Sequence, residues 1–155
     1  MASRKIEDLH PTMQAFALEF LARCEQANLD VLIYCTYRSP QEQAELWKEG
    51  RETPGTIKTW SPPWHSKHQW GLAFDCCPML GGKCLWEPRD HPLWLAIGAI
   101  GESLGLRWGG RWRKKKRENP HFELPLHSSE DLLAGRFDAN DEFLAAKYEE
   151  MKKGL

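Results

Sequence analysis

The chain has no apolar run long enough to cross a bilayer. Its longest uncharged apolar stretch, residues 93–101, has nine residues, against the roughly 20 that a spanning helix needs. Residues 1–6 carry charges, and no apolar stretch of secretory-signal type follows them. There is no excess of one charge: 21 Lys and Arg stand against 22 Asp and Glu, a net charge of −1. The global electrostatics therefore do not announce a nucleic-acid binder. Internal repeats and low-complexity tracts are also missing, which excludes solenoids and arrays. The five cysteines are odd in number. With no export signal in view, reduced and mostly buried thiols are expected.

What is present is an ordinary globular balance, 41% hydrophobic and 28% charged, so disorder along the whole chain is excluded. At 155 residues a single domain spanning 1–155 and a monomer are expected. The eight Trp residues are a marked excess. They either line a binding groove or fill the core, and sequence alone weighs the two equally.

Met13, Phe16, Ala17, Phe20, Leu21 and Cys24 recur at helical spacing, and Pro11 suits the first turn. Residues 31–37 are rich in β-branched and aromatic side chains and read as a strand. Ser39-Pro40-Gln41-Glu42 has the form of a capping box and opens a helix that ends before Gly50. Residues 51–67, with Pro54-Gly55 and Ser61-Pro62-Pro63, read as a long loop. A strand over 72–77, a turn at Gly81-Gly82 and a return strand over 83–86 follow. A helix opens at Asp90-His91-Pro92 and closes at Gly105. Short strands at 106–108 and 121–124 flank a basic loop, and a last helix covers 138–153. Helices and short strands without βαβ alternation predict an α+β fold.

Two segments carry the chemistry. In Ser66-Lys67-His68-Gln69-Trp70-Gly71-Leu72-Ala73-Phe74-Asp75 an imidazole and a carboxylate stand seven residues apart. A flat strand would point them to opposite faces. A turn at Gly71 would bring His68 and Asp75 together. In Glu118-Asn119-Pro120-His121-Phe122-Glu123, His121 enters a strand and Glu118 sits just before it. Two His and one carboxylate suffice to hold a catalytic zinc with one position open. Glu118 is then placed to accept a proton from water.

These segments resemble the zinc D-alanyl-D-alanine carboxypeptidases, dipeptidases and L-alanyl-D-glutamate endopeptidases of peptidoglycan. Ser66, His68, Gly71, Ala73 and Asp75 match the family's first motif. Glu118, Pro120, His121, Phe122 and Glu123 match its second. Tyr37, Arg38, Ser39 and Gln43 match an upstream segment, and Trp108-Gly109-Gly110 looks like the stretch ahead of the second motif. The likeness covers residues 34–124. It implies a small antiparallel sheet flanked by helices, of the Hedgehog/DD-peptidase type. It also implies Zn2+ on His68, Asp75 and His121, Glu118 as general base and then proton donor, and Arg38 and Ser66 in contact with a peptidoglycan stem peptide.

Within that chemistry the compact chain without an export signal points to a phage-type endolysin cutting the L-alanyl-D-glutamate bond. Such an enzyme would collect in the host cytoplasm and act on the cell wall after release. The alternatives are a D-alanyl-D-alanine carboxypeptidase or dipeptidase, and a non-catalytic wall-binding module of the same fold. Arg111 stands where family endopeptidases often carry an acidic residue. The run from Arg111 to Arg117 is unusually basic. It reads either as a solvated loop or as a dock for an anionic envelope surface. Binding of nucleic acid is not expected. His10 and His91, each ahead of a proline, read as helix-start residues. His65 and His127 read as surface or core histidines. Cys76, Cys77 and Cys84 are set aside as zinc ligands, because adjacent strand residues point to opposite faces.

Overall fold

The computed structural model describes residues 1–154. Its helices are α1 (Pro11–Gln26), α2 (Pro40–Lys48), α3 (Pro92–Ser103), α4 (Ser129–Leu133) and α5 (Glu142–Lys152). Its strands are β1 (Val31–Cys35), β2 (Ala73–Leu80), β3 (Lys83–Cys84), β4 (Arg107–Trp108) and β5 (His121–Glu123). The strands form one antiparallel sheet in the order β1-β2-β5-β4, and β3 hairpins onto β2. This is the expected α+β architecture. None of the described helices is long and apolar enough to cross a membrane.

Helix starts follow from local chemistry. Ser39 and Glu42 form a reciprocal capping box on α2. The His10 and His91 imidazoles accept from the Thr12 and Leu93 N–H groups, so both histidines cap helices as expected. Asp141 accepts from the Leu144 N–H and starts α5 later than the sequence predicts. That Asp141 carboxylate also meets His10 Nε2 at 2.7 Å, tying α5 to the start of α1.

The sheet's two faces divide the labour. Phe74 on β2 pairs with Phe122 on β5. Both rings are fully buried against Phe20 of α1, and Trp108 stacks on Phe122. Burying each such ring contributes about 2 kcal/mol. The next pair in register, Asp75 with His121, must point to the opposite face, because side chains alternate along a strand. A register shift between Ile33 and Cys35 sets Cys35 opposite Asp75 on the other edge of β2.

Several expectations need correcting. The thiols are not all reduced: Cys77 and Cys84 are disulfide-bonded. The hairpin turn at Gly81-Gly82 folds β3 back along β2 and brings the two together. Cys24, Cys35 and Cys76 remain free and buried. The loop read over 51–67 ends in a 3-10 turn, Lys67–Trp70, and the first strand stops at Cys35. The short helix α4 falls in a stretch to which the sequence assigned no element.

Half of the eight Trp residues serve the core. Trp64, Trp70, Trp94 and Trp108 are buried. The Trp70 indole N–H donates to the Trp64 carbonyl and that of Trp108 to the Asn119 carbonyl. Trp112 lines the cleft described below.

Candidate active site

Gly71 terminates the 3-10 turn in the left-handed region, at φ 65°. A Cβ there would lie 2.7 Å from the His10 nitrogen and 2.7 Å from the Phe143 ring. Only glycine meets both demands. The reversal it allows brings His68 to the face of β2 on which Asp75 points. Sheet register brings His121 from the other side.

Asp75 Oδ1 lies 3.2 Å from His68 Nε2 and 3.2 Å from His121 Nδ1. The far nitrogen of each ring is engaged elsewhere. His68 Nδ1 donates to the Thr36 carbonyl at 2.7 Å, and His121 Nε2 donates to Glu123 Oε1 at 2.9 Å. Those bonds fix the orientation of each ring and aim its other nitrogen at Asp75. All three side chains are buried.

The field at this point favours positive charge. Burial works to lower the His68 pKa, but the Asp75 charge and the neighbouring Cys35 hold it up at about 10. For His121 burial again lowers, while bonds to Asp75 and Glu123 raise it to about 9. Burial would raise Asp75, yet the two imidazoles hold it well below the usual carboxylate range.

The two separations about Asp75 suit a zinc ion. Two ligands at about 2.1 Å from a tetrahedral centre stand roughly 3.4 Å apart, close to the two 3.2 Å separations. A second cluster shares two of the residues: ligand atoms of Cys35, His68 and Asp75 all lie within 4.8 Å of one another. Cys35 is a potential ligand that the sequence reading missed. No local signal marks it, because a register shift between β1 and β2 sets its place. Its Sγ lies 3.8 Å from His68 Nδ1, the nitrogen already committed to Thr36.

Glu118 lies beside the ligands. Its Oε2 is 3.9 Å from His121 Nδ1, and its side chain is 34% exposed, so it can meet water. Burial and the Asp75 charge push its pKa above the ordinary value, against His121, His68 and Arg38. The Glu118 N–H donates to the Gly109 carbonyl. Gly109 packs so tightly beneath the Glu118 backbone that a side chain there would collide with it.

Arg38 points one guanidinium nitrogen at Asp75 Oδ2, at 3.2 Å, and the other at Gln43 Oε1, at 2.9 Å. Ser66 caps the turn that carries His68: its Oγ accepts from the His68 N–H at 3.3 Å. Both line a cleft of roughly 340 Å³ together with His68, Asp75, Glu118 and His121. The structure thus brings all six sequence-predicted residues to one cavity. In the basic run, Arg111 pairs with Glu102 and Arg117 with Asp90. Arg113, Lys114, Lys115 and Lys116 are exposed.

Two family models, both described as D-alanyl-D-alanine carboxypeptidase, match residues 59–124 and 6–91. A Bacillus subtilis protein, peptidoglycan L-alanyl-D-glutamate endopeptidase CwlK, is 34% identical over 124 residues. That match covers 76% of this chain and 74% of the relative. The chain belongs to the D-alanyl-D-alanine carboxypeptidase family. This peptidase also shares its fold with the crystal structure of the Serratia marcescens L-Ala D-Glu endopeptidase ChiX. The TM-score is 0.55 at 23% identity, over 80% of this chain and 88% of that one. Both motifs of the peptidase, residues 66–75 and 118–123, fall within the first matched region.

Proposed function

We propose that this peptidase is a zinc-dependent peptidoglycan hydrolase cutting the L-alanyl-D-glutamate bond of the stem peptide. The reading rests on one observation: a buried carboxylate flanked at 3.2 Å by two imidazoles held in place by their far nitrogens, with Glu118 alongside. The activity of the Bacillus relative supports the choice of bond.

His68, Asp75 and His121 would hold the ion, and Ser66 lies on the cleft wall to meet substrate. Zinc bound there would polarise a carbonyl and make a water molecule acidic near neutral pH. Glu118 accepts a proton from the attacking water and returns it to the departing nitrogen. Arg38 faces the carbonyl oxygen as negative charge develops on it. A non-catalytic wall-binding module would have no use for a carboxylate poised as Glu118 is.

A second reading, D-alanyl-D-alanine carboxypeptidase, is favoured by the descriptions of both matching families. In either case the substrate is the stem peptide. In the first reading the protein serves phage-type lysis, acting on the wall after release from the host cytoplasm. The cations of residues 113–116 then dock it on the anionic envelope. Digestion of purified sacculi with mass spectrometry separates the cases. New amino-terminal glutamate is the expected product, free D-alanine supports the second reading, and intact sacculi overturn both.

A further inference from the structure

The cleft has three Lys or Arg residues in its lining: Arg38, Lys58 and Lys67. Two of them are committed. Arg38 is bonded to Asp75 and Gln43. Lys67 Nζ donates to the Leu124 carbonyl at 2.7 Å and pairs with Glu123 at 3.2 Å. Two of the cleft's three carboxylates are matched as well: Asp75 faces Arg38 and two imidazoles, and Glu123 faces Lys67 and His121, while the third, Glu118, lies 3.9 Å from His121. Lys58 is exposed and, among the described residues, has no hydrogen-bond or ion-pair partner.

The backbone that carries Lys58 is nonetheless fixed. Its neighbour Thr59 is buried. Thr59 Oγ1 accepts from Gln43 Nε2 at 3.1 Å and from the Ser61 N–H at 3.2 Å. The Thr59 carbonyl accepts from Arg51 at 3.1 Å. Gln43 in turn accepts from Arg38 and donates to the Ser61 carbonyl. One polar network therefore joins the base of Lys58 to the guanidinium over Asp75. The result is an uncommitted ammonium on an anchored wall of the reactive cleft.

The substrate class named above supplies a matching anion. In an L-alanyl-D-glutamate linkage the glutamate has two carboxyls. One carries the peptide onward, and the other is a free carboxylate close to the scissile nitrogen. We infer that Lys58 is a specificity-determining residue that binds this free carboxylate, so the peptidase discriminates against stem peptides in which it is amidated. The inference rests on the endopeptidase reading and deepens it.

The test uses two soluble stem peptides that differ only in a free or amidated glutamate carboxyl. They are offered to the zinc-loaded wild type, Lys58→Met and Lys58→Arg. The wild type is expected to cut the acid with about tenfold higher kcat/KM, the size of one charge-assisted hydrogen bond at a partly exposed site. In Lys58→Met the ratio falls toward one, through a higher KM for the acid, and Lys58→Arg restores preference. A wild type that cuts both peptides equally, or a Lys58→Met protein that keeps the wild-type ratio, overturns the inference alone. A wild type that cuts neither removes the endopeptidase reading, and the inference falls with it.

Discussion

Asp75 and His121 face each other across adjacent antiparallel strands, and Asp75 Oδ1 stands 3.2 Å from His121 Nδ1. Their sheet pairing sets that approach, so backbone hydrogen bonds hold two of the proposed ligands in place. His68 arrives by a different route, from a turn closed at Gly71.

Replacing Glu118 by Gln keeps the side-chain shape and removes the base. Turnover of the stem peptide is expected to fall by about 10²- to 10⁴-fold. Zinc content after dialysis should stay at the wild-type level, because Glu118 lies outside the proposed ligand set. Metal analysis beside kcat separates the two effects.

In the proposed site Glu123 supports a ligand rather than holding the ion itself. Burial would raise its pKa, but His121 and Lys67 bring it down to about 2, so it is a carboxylate at working pH. Glu123→Gln weakens its bond to His121 Nε2. Zinc affinity, measured by chelator competition, is expected to drop by roughly 10- to 100-fold.

Gly71→Ala places a methyl group at a positive φ and into the His10 backbone and Phe143 ring. The left-handed conformation and the overpacking each cost on the order of 1–2 kcal/mol. A fall in the thermal midpoint of several degrees is expected. A Gly71→Ala protein that melts with the wild type would show that the turn relaxes freely.

Asp141 gives a pH-dependent test away from the ion. Partial burial works to raise its pKa, yet the Leu144 N–H and His10 hold it below the usual Asp value. A depressed carboxylate stabilises the fold above its unfolded pKa, near 3.9, and loses that contribution as pH falls through the folded value. Asp141→Ala should cost about 1 kcal/mol at pH 6, and the deficit should shrink below about pH 4. Denaturant melts at the two pH values check the sign.

Much of this was legible in the sequence because local chemistry dictates it. Pro11, Pro40 and Pro92 mark helix starts, and Gly71 permits the reversal that joins His68 to Asp75. What was not legible depends on pairing between distant segments. Cys35 reaches the site through a register shift between β1 and β2, which no local pattern encodes. The Cys77–Cys84 bond depends on how β3 lies along β2. The five residues of α4 are too few to show helical periodicity. Thr59, beside Lys58, is bonded by Gln43 of α2 and by Arg51 beyond that helix, so only the folded chain reveals that this lysine sits on an anchored wall.

The packing behind Gly71 joins the two extremities of the described chain. The His10 N–H donates to the Gly71 carbonyl, and the His10 ring meets both Asp141 and Phe143. The last helix therefore acts as a clamp on the hinge that presents His68, without touching the cleft. Whatever pries that helix away, whether a bulky fusion or proteolytic trimming ahead of residue 141, should loosen the grip on the ion before it unfolds the sheet.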